Sequence, residues 1–157
     1  MSSTNTIPPE SAEIDRGILA DQVGFNLRLA YFNTTQLFTD ELGDLFITPI
    51  QFAILEVAAN NDGLKQRQIA RLVGTAPSVL VDPINKLERR GLLTRERDPQ
   101  DLRRHQVKLT AAGLAFQRQA RERINTVENT LAHALTADER DTLLALLQRI
   151  VAANESR

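Results

Sequence analysis

Two short amphipathic segments separated by one glycine, and followed at once by two alternating runs, constrain this chain more than any other feature. The first, LKQRQIARLVG from Leu64 to Gly74, carries Ile69, Leu72 and Val73 at helical spacing and closes on a glycine. It reads as a short helix of about ten residues. The second, TAPSVLVDPINKLERRG, opens on Thr75 as a capping residue, carries Val79, Leu80, Ile84 and Leu87, and stops at Gly91. Short helix, glycine-containing turn and second helix make a helix-turn-helix pattern. Pro83 lies inside the second segment, where it removes a backbone hydrogen bond and ordinarily costs about 3 kcal/mol or kinks the axis. After Gly91, LLTRER and RHQVKLT read as strands joined by DPQD, whose Asp-Pro pair favours a turn. A hairpin appended to a helix-turn-helix is the arrangement called a winged helix.

The flanks are helical. Residues 1–12, with Pro8 and Pro9, read as a flexible N-terminal tail. Residues 13–45 read as one long helix from about Glu13 to Leu42, with one stripe at Ile14, Ile18, Val23, Leu27, Ala30, Leu37 and Leu45 and a second at Phe25, Leu29 and Phe32. Two apolar faces on one helix favour burial against a second chain. In ITPIQFAILEVAAN, Thr48 is an N-cap and Pro49 the first helical residue, which predicts a helix to about Asn60. Thr110 caps a helix from Ala111 to about Leu135, and TADE at Thr136 to Glu139 is a capping box for a last helix to about Ala153. The fold class is therefore mainly α with a small β-hairpin wing. A winged helix-turn-helix lobe at 46–110 sits between dimerisation helices at 13–45 and 111–157.

Charge is segregated along the chain. The formal net charge is -1, yet residues 65–108 hold eleven Lys or Arg against five Asp or Glu. A basic segment between acidic flanks suits a phosphate-binding module on a non-binding scaffold, and a solvated face is the alternative. There are no cysteines, so disulfides, thiolate metal sites and thiol redox chemistry are excluded. No apolar run approaches the roughly 18 residues of a membrane span, and the N-terminus lacks the regions of a signal peptide. A cytoplasmic protein with no membrane association is the expectation.

With these elements in order, the chain resembles the MarR family of bacterial winged-helix transcriptional regulators over roughly residues 15–153. The resemblance is carried by ITPIQFAIL, LKQRQIARLVG, NKLERRGLLTR and DPQDLRRHQVKLTAAG at their spacings. It implies a homodimer with interlocked terminal helices whose two lobes read a palindromic site on double-stranded DNA. It also implies loss of DNA affinity when a small molecule, often a phenolic or aromatic acid, lodges between the dimer helices and the reading lobe. The wing departs from the family by carrying Asp101-Leu102-Arg103 where Asp-Arg-Arg is common, and the lack of cysteine excludes the peroxide-sensing branch.

The candidate residues follow. Arg103 and Arg104, at the hairpin tip, suit a narrow minor groove, with Asp101 able to hold one guanidinium; solvated turn charges are the alternative. Arg95, on the first strand, joins them as a DNA-contact candidate. The second helix of the reading unit should enter the major groove by its N-terminal part, which selects Thr75, Pro77, Ser78, Val79 and Asp82. Asp82 can accept from cytosine N4, or make a local helix contact instead. Lys86 is placed for the DNA backbone, as are Gln66 and Gln68 at the start of the preceding helix. Arg16 and Arg28, with Phe25, Tyr31 and Phe32, form an effector candidate: a guanidinium beside aromatic rings suits an aromatic carboxylate, and an arginine paired across a dimer is the competing reading. The only histidines, His105 and His133, lie on different elements, which gives no support to a metal site or a nucleophile-base pair. No catalytic residue, metal or cofactor is expected. Three readings stay open: a ligand-responsive repressor, a constitutive DNA-binding dimer, and a winged helix used for protein contact.

Overall fold

A computed structural model describes residues 16–98 and 101–155, without the side chains of residues 98, 101–104 and 154–155. The chain divides into two units, 1–33 and 34–157. Helices and strands in order are α1 (Val23–Leu42), α2 (Pro49–Ala59), α3 (Gln66–Leu72), α4 (Val81–Arg89), β1 (Leu93–Asp98), β2 (Asp101–Leu109), α5 (Ala111–Ala132) and α6 (Ala137–Glu155). The expected tail at 1–12 lies outside the described residues.

In the first unit the expected single helix is interrupted. Gly17 has φ +54 and opens a 3-10 turn, Gly17–Asp21, and Gln22 is extended with ψ 121 before α1 begins. A left-handed residue cannot propagate a right-handed helix, so the turn is a separate element. The Asn26 side chain closes the break by donating to the Ala20 and Gln22 carbonyls at 2.8 and 2.9 Å.

The second unit is built on α2. Thr48 and Gln51 form a reciprocal capping box, with Thr48 N–H donating to Gln51 Oε1 at 3.0 Å and Gln51 N–H to Thr48 Oγ1 at 3.4 Å. The helix buries Ile54, Leu55 and Ala58 against Ile69, Leu80, Ile84, Leu87 and Val107, and the C-terminal end of α1 adds Phe38 and Leu42. The loop between α1 and α2 is tied down by two arginines. Arg90 donates to the Leu45 and Phe46 carbonyls at 3.0 and 2.8 Å, and Arg123 of α5 pairs with Asp44 and donates to the Glu41 carbonyl. That hydrogen bond to Arg123 holds the Asp44 carboxyl below the usual carboxylate range.

The second segment of the helix-turn-helix differs from the single helix expected from Thr75. Pro77–Leu80 form a 3-10 turn and α4 starts only at Val81. Thr75 is not its cap; Ala76 precedes Pro77 with extended backbone, φ -74 and ψ 144, as a residue before proline prefers. The consequence for Pro83 is favourable. It falls in the first turn of α4, where backbone N–H groups have no partner four residues back within the helix, so the penalty of an interior proline does not apply.

The two strands pair antiparallel from Leu93↔Leu109 to Asp98↔Asp101, and Leu64 adds a short third bridge to Val107. Gly63 precedes that bridge with φ +70, and a Cβ there would stand 2.3 Å from Gln106 Oε1. The α5 helix starts from a Thr110 cap that accepts from Gly113 N–H at 2.9 Å and donates to the Gly91 carbonyl at 2.7 Å. Gly113 is obligatory for this docking, since a Cβ would meet the Leu92 carbonyl oxygen at 2.0 Å. Within α6 no described residue is buried, although Leu143, Leu144, Leu146, Ile150 and Val151 are all large and apolar.

Candidate nucleic-acid interface

Side chains on α4 and the 3-10 turn that leads into it divide by position. Leu80, Ile84 and Leu87 are fully buried, and Val79, Asp82 and Lys86, at successive spacings of three and four, share the opposite face. Thr75, Pro77, Ser78, Val79, Asp82 and Lys86 are all solvent-accessible, so the sequence-selected set is brought to one exposed end and face of the reading unit. Asp82 accepts from Lys86 Nζ at 2.8 Å. The local contact weighed against cytosine recognition is therefore present.

Three expected DNA-contact side chains have partners within the chain. Arg95 Nη1 donates to Glu88 Oε2 at 2.6 Å and Nη2 to Asn85 Oδ1 at 2.8 Å. β1 leaves Gly91 alongside α4, and in the free chain Arg95 is a strut between wing and helix. Gln66 Nε2 donates to the Pro77 carbonyl at 2.9 Å and so braces the turn into the second segment. Gln68 Oε1 accepts from Lys65 N–H at 2.9 Å, as a cap for α3. Each glutamine side chain thus has an internal partner.

Arg103 and Arg104 lie on β2 towards the hairpin end, and their side chains, with that of Asp101, lie outside the described residues. At the base of the hairpin, Lys108 bonds Glu96 at 3.1 Å and reaches Asp62 at 3.7 Å. The bond to Glu96, reinforced by the charge of Asp62, raises its pKa.

A further basic site was not legible from the sequence. The Leu64 to Val107 bridge sets the start of α3 beside β2, where Lys65, Arg67, Gln68 and His105 line a cavity of about 520 Å³. Among the described lining side chains there is no carboxylate, and such a lining suits an anion such as a backbone phosphate. Forty residues separate its two halves, and only strand register brings them together.

The effector candidates all belong to the first unit. Arg16 precedes the 3-10 turn, and Phe25, Arg28, Tyr31 and Phe32 lie on the first half of α1. Phe25, Arg28 and Phe32 share one helical face by spacing, and both arginines are exposed.

A helix-turn-helix with an exposed second helix and an appended two-stranded hairpin defines a winged-helix domain of the DNA-reading class. A MarR family model matches residues 47–104, from the start of α2 into the wing. Over 143 residues the chain is 31% identical to a proposed transcriptional regulatory protein for the hcr operon of Thauera aromatica, covering 88% of this chain and 84% of that protein. It is similar to the transcriptional repressor CouR bound to a 23-mer DNA duplex, with a TM-score of 0.83, 33% identity, and 89% of this chain and 99% of that one covered. The same repressor bound to p-coumaroyl-CoA gives a TM-score of 0.80 at 31% identity over 88% and 98% of the two chains. The PcaV transcriptional regulator of Streptomyces coelicolor, in complex with its natural ligand, gives a TM-score of 0.78 at 31% identity over 91% and 99%. The chain belongs to the MarR family of winged-helix transcriptional regulators.

Proposed function

We propose that this protein is a sequence-specific DNA-binding repressor that acts as a homodimer on a palindromic operator and is released by a small aromatic or phenolic carboxylate. The observation that carries the DNA reading is the exposed face of α4 beside the hairpin, in the one strongly basic stretch of the chain, with the similar repressor CouR solved on a duplex. Residues 46–110 form the reading lobe, and 13–45 with 111–157 form the dimerisation helices. The protein acts by binding rather than by catalysis, and in the cytoplasm; no single helix among the described residues is long and apolar enough to cross a membrane.

The effector reading is supported by chemistry on α1. Arg28 stands three or four residues from Phe25, Tyr31 and Phe32 on α1, a combination that suits a carboxylate on a ring, and Arg16 supplies a second guanidinium in the same unit. The similar proteins CouR and PcaV are solved with p-coumaroyl-CoA and a natural ligand, respectively. Release requires the ligand to favour a lobe spacing that no longer matches half-sites one helical turn apart, because only differential affinity shifts an equilibrium.

The test is selection of binding sites from random duplexes, then salt titration of operator binding with and without benzoates, hydroxybenzoates and cinnamates. Steeply salt-dependent binding and its loss with one of these acids are expected. Arg16→Ala or Arg28→Ala should abolish the ligand response. Release unaltered in both variants would remove the arginines from the site, and an operator affinity indifferent to every acid would leave a constitutive DNA-binding dimer.

A further inference from the structure

Major-groove recognition is commonly written as hydrogen bonding, but two polar side chains available for it are already engaged: Asp82 with Lys86 at 2.8 Å, and Arg95 with Glu88 and Asn85. Ahead of the Asp82–Lys86 pair on the same outward face stands Val79, 55% exposed. It is not a core residue left partly uncovered, because Leu80, Ile84 and Leu87 fill the inward face completely. Its position is also fixed: Pro77 sets the backbone at the start of the 3-10 turn, and Gln66 holds the Pro77 carbonyl at 2.9 Å.

A base-pair edge in the major groove presents nitrogen and oxygen groups and one apolar group, the C5 methyl of thymine. A valine pressed on a polar edge displaces water without replacing its hydrogen bonds, which is unfavourable. Pressed on the methyl, it removes apolar surface of both partners from water. We propose that Val79 is a specificity-determining residue that reads one thymine methyl group in each operator half-site. This rests on the DNA-binding function proposed above, and it assigns to one side chain the kind of base it selects. Asp82 and Lys86, neutralising each other, then set the limit of the apolar contact and disfavour a phosphate-only docking of this face.

The experiment replaces each thymine of the selected operator by deoxyuridine, which removes the methyl and leaves base pairing intact. The full-length parent, Val79→Ala and Val79→Thr are compared on each duplex. One thymine per half-site should matter to the parent, with a loss of about fourfold for one half-site and about fifteenfold for both, as expected for burial of a single methyl group. Val79→Ala should lose most of the discrimination between thymine and deoxyuridine there, Val79→Thr, which keeps one γ-methyl, part of it, and both should melt at the parent temperature, since the side chain is exposed. A parent that binds the operator but is indifferent to every deoxyuridine, or a Val79→Ala variant that keeps the parent's discrimination, overturns the methyl contact while leaving DNA binding in place. A parent that selects no duplex at all overturns the DNA-binding reading, and this proposal with it.

Discussion

The Arg95 guanidinium lies 2.6 Å from Glu88 Oε2 and 2.8 Å from Asn85 Oδ1, so the first wing strand is fastened to the recognition helix by a side chain that the charge pattern alone had assigned to DNA. The pair is only partly exposed, 28% and 36% by side chain, and a second donor of the same guanidinium, bound to Asn85, helps fix its geometry. Arg95→Ala should lower unfolding stability by about 1 kcal/mol, a value at the upper end for exposed pairs because the hydrogen bond to Asn85 is lost as well. The slope of operator affinity against salt should stay at the parent value. Urea denaturation and salt titration check the two halves, and a flattened slope with unchanged stability would return Arg95 to the DNA.

The site of Lys65, Arg67 and His105 makes the opposite forecast. Arg67→Gln keeps a polar side chain but removes the charge, so the slope of log affinity on log salt should fall by about 0.9 per half-site phosphate, on operator and unrelated duplex alike. Melting temperature should not change. Equal slopes for parent and variant would mean that no phosphate occupies the cavity.

How much of this was readable beforehand follows from the distance over which each feature is decided. Thr48, Pro49 and Gln51 specify the start of α2 within four residues, and Thr136 with Glu139 does the same for α6; both were legible because capping is local. The helix-turn-helix order was legible from Gly74 and Gly91. The 3-10 turn at Pro77–Leu80 was concealed by reading Thr75 as the cap, although Pro77 alone argues that Ala76 must be extended. The internal partner of Arg95 was not legible because charge runs do not reveal partners: Glu88 is seven residues away on another element. Lys65, Arg67 and His105 were missed because the Leu64–Val107 bridge, a choice of strand register, has no one-dimensional signature.

For the wing tip, the expectation rests on position. If Arg103 enters a minor groove, Arg103→Ala should weaken operator binding by about 1 to 3 kcal/mol per half-site and flatten the salt slope at unchanged thermal stability. Asp101→Ala should reproduce part of this loss. Parent-like binding by Arg103→Ala at several salt concentrations would make the tip a solvated turn.

Acid should loosen the cap of α6. Glu139 accepts from Thr136 N–H and Oγ1, both at 2.8 Å, and these bonds hold its carboxyl below the ordinary glutamate value. A carboxylate depressed in the folded state contributes stability above its unfolded pKa, about 4.3 for glutamate, and loses it as pH falls through the folded value. Glu139→Gln should therefore be less stable than the parent at pH 7, and the difference should vanish towards pH 3. Thermal melts of both proteins across that range check the sign; a gap that widens in acid would contradict it.

The last expectation concerns what covers α6. Leu143, Leu146 and Ile150 recur at spacings of three and four, forming one stripe, and are 44%, 46% and 42% exposed in the single chain. A 19-residue helix with no buried side chain among its described residues draws little stability from its own protomer, and isolated helices of this length are marginal in water. The two stripes on α1, with Val23 of the first and Phe32 of the second at 65% and 59% exposure, present the same deficit. One partner that covers both is a second copy, burying more than about 2,000 Å² in the manner of obligate dimers. The parent should then sediment as a dimer at micromolar concentration and melt at a temperature that rises with concentration. Leu146→Asp with Ile150→Asp should abolish the dimer and lower helical content together, because the described part of α6 buries no side chain within its own protomer. A parent that sediments as a folded monomer with a concentration-independent melting temperature would overturn the dimer.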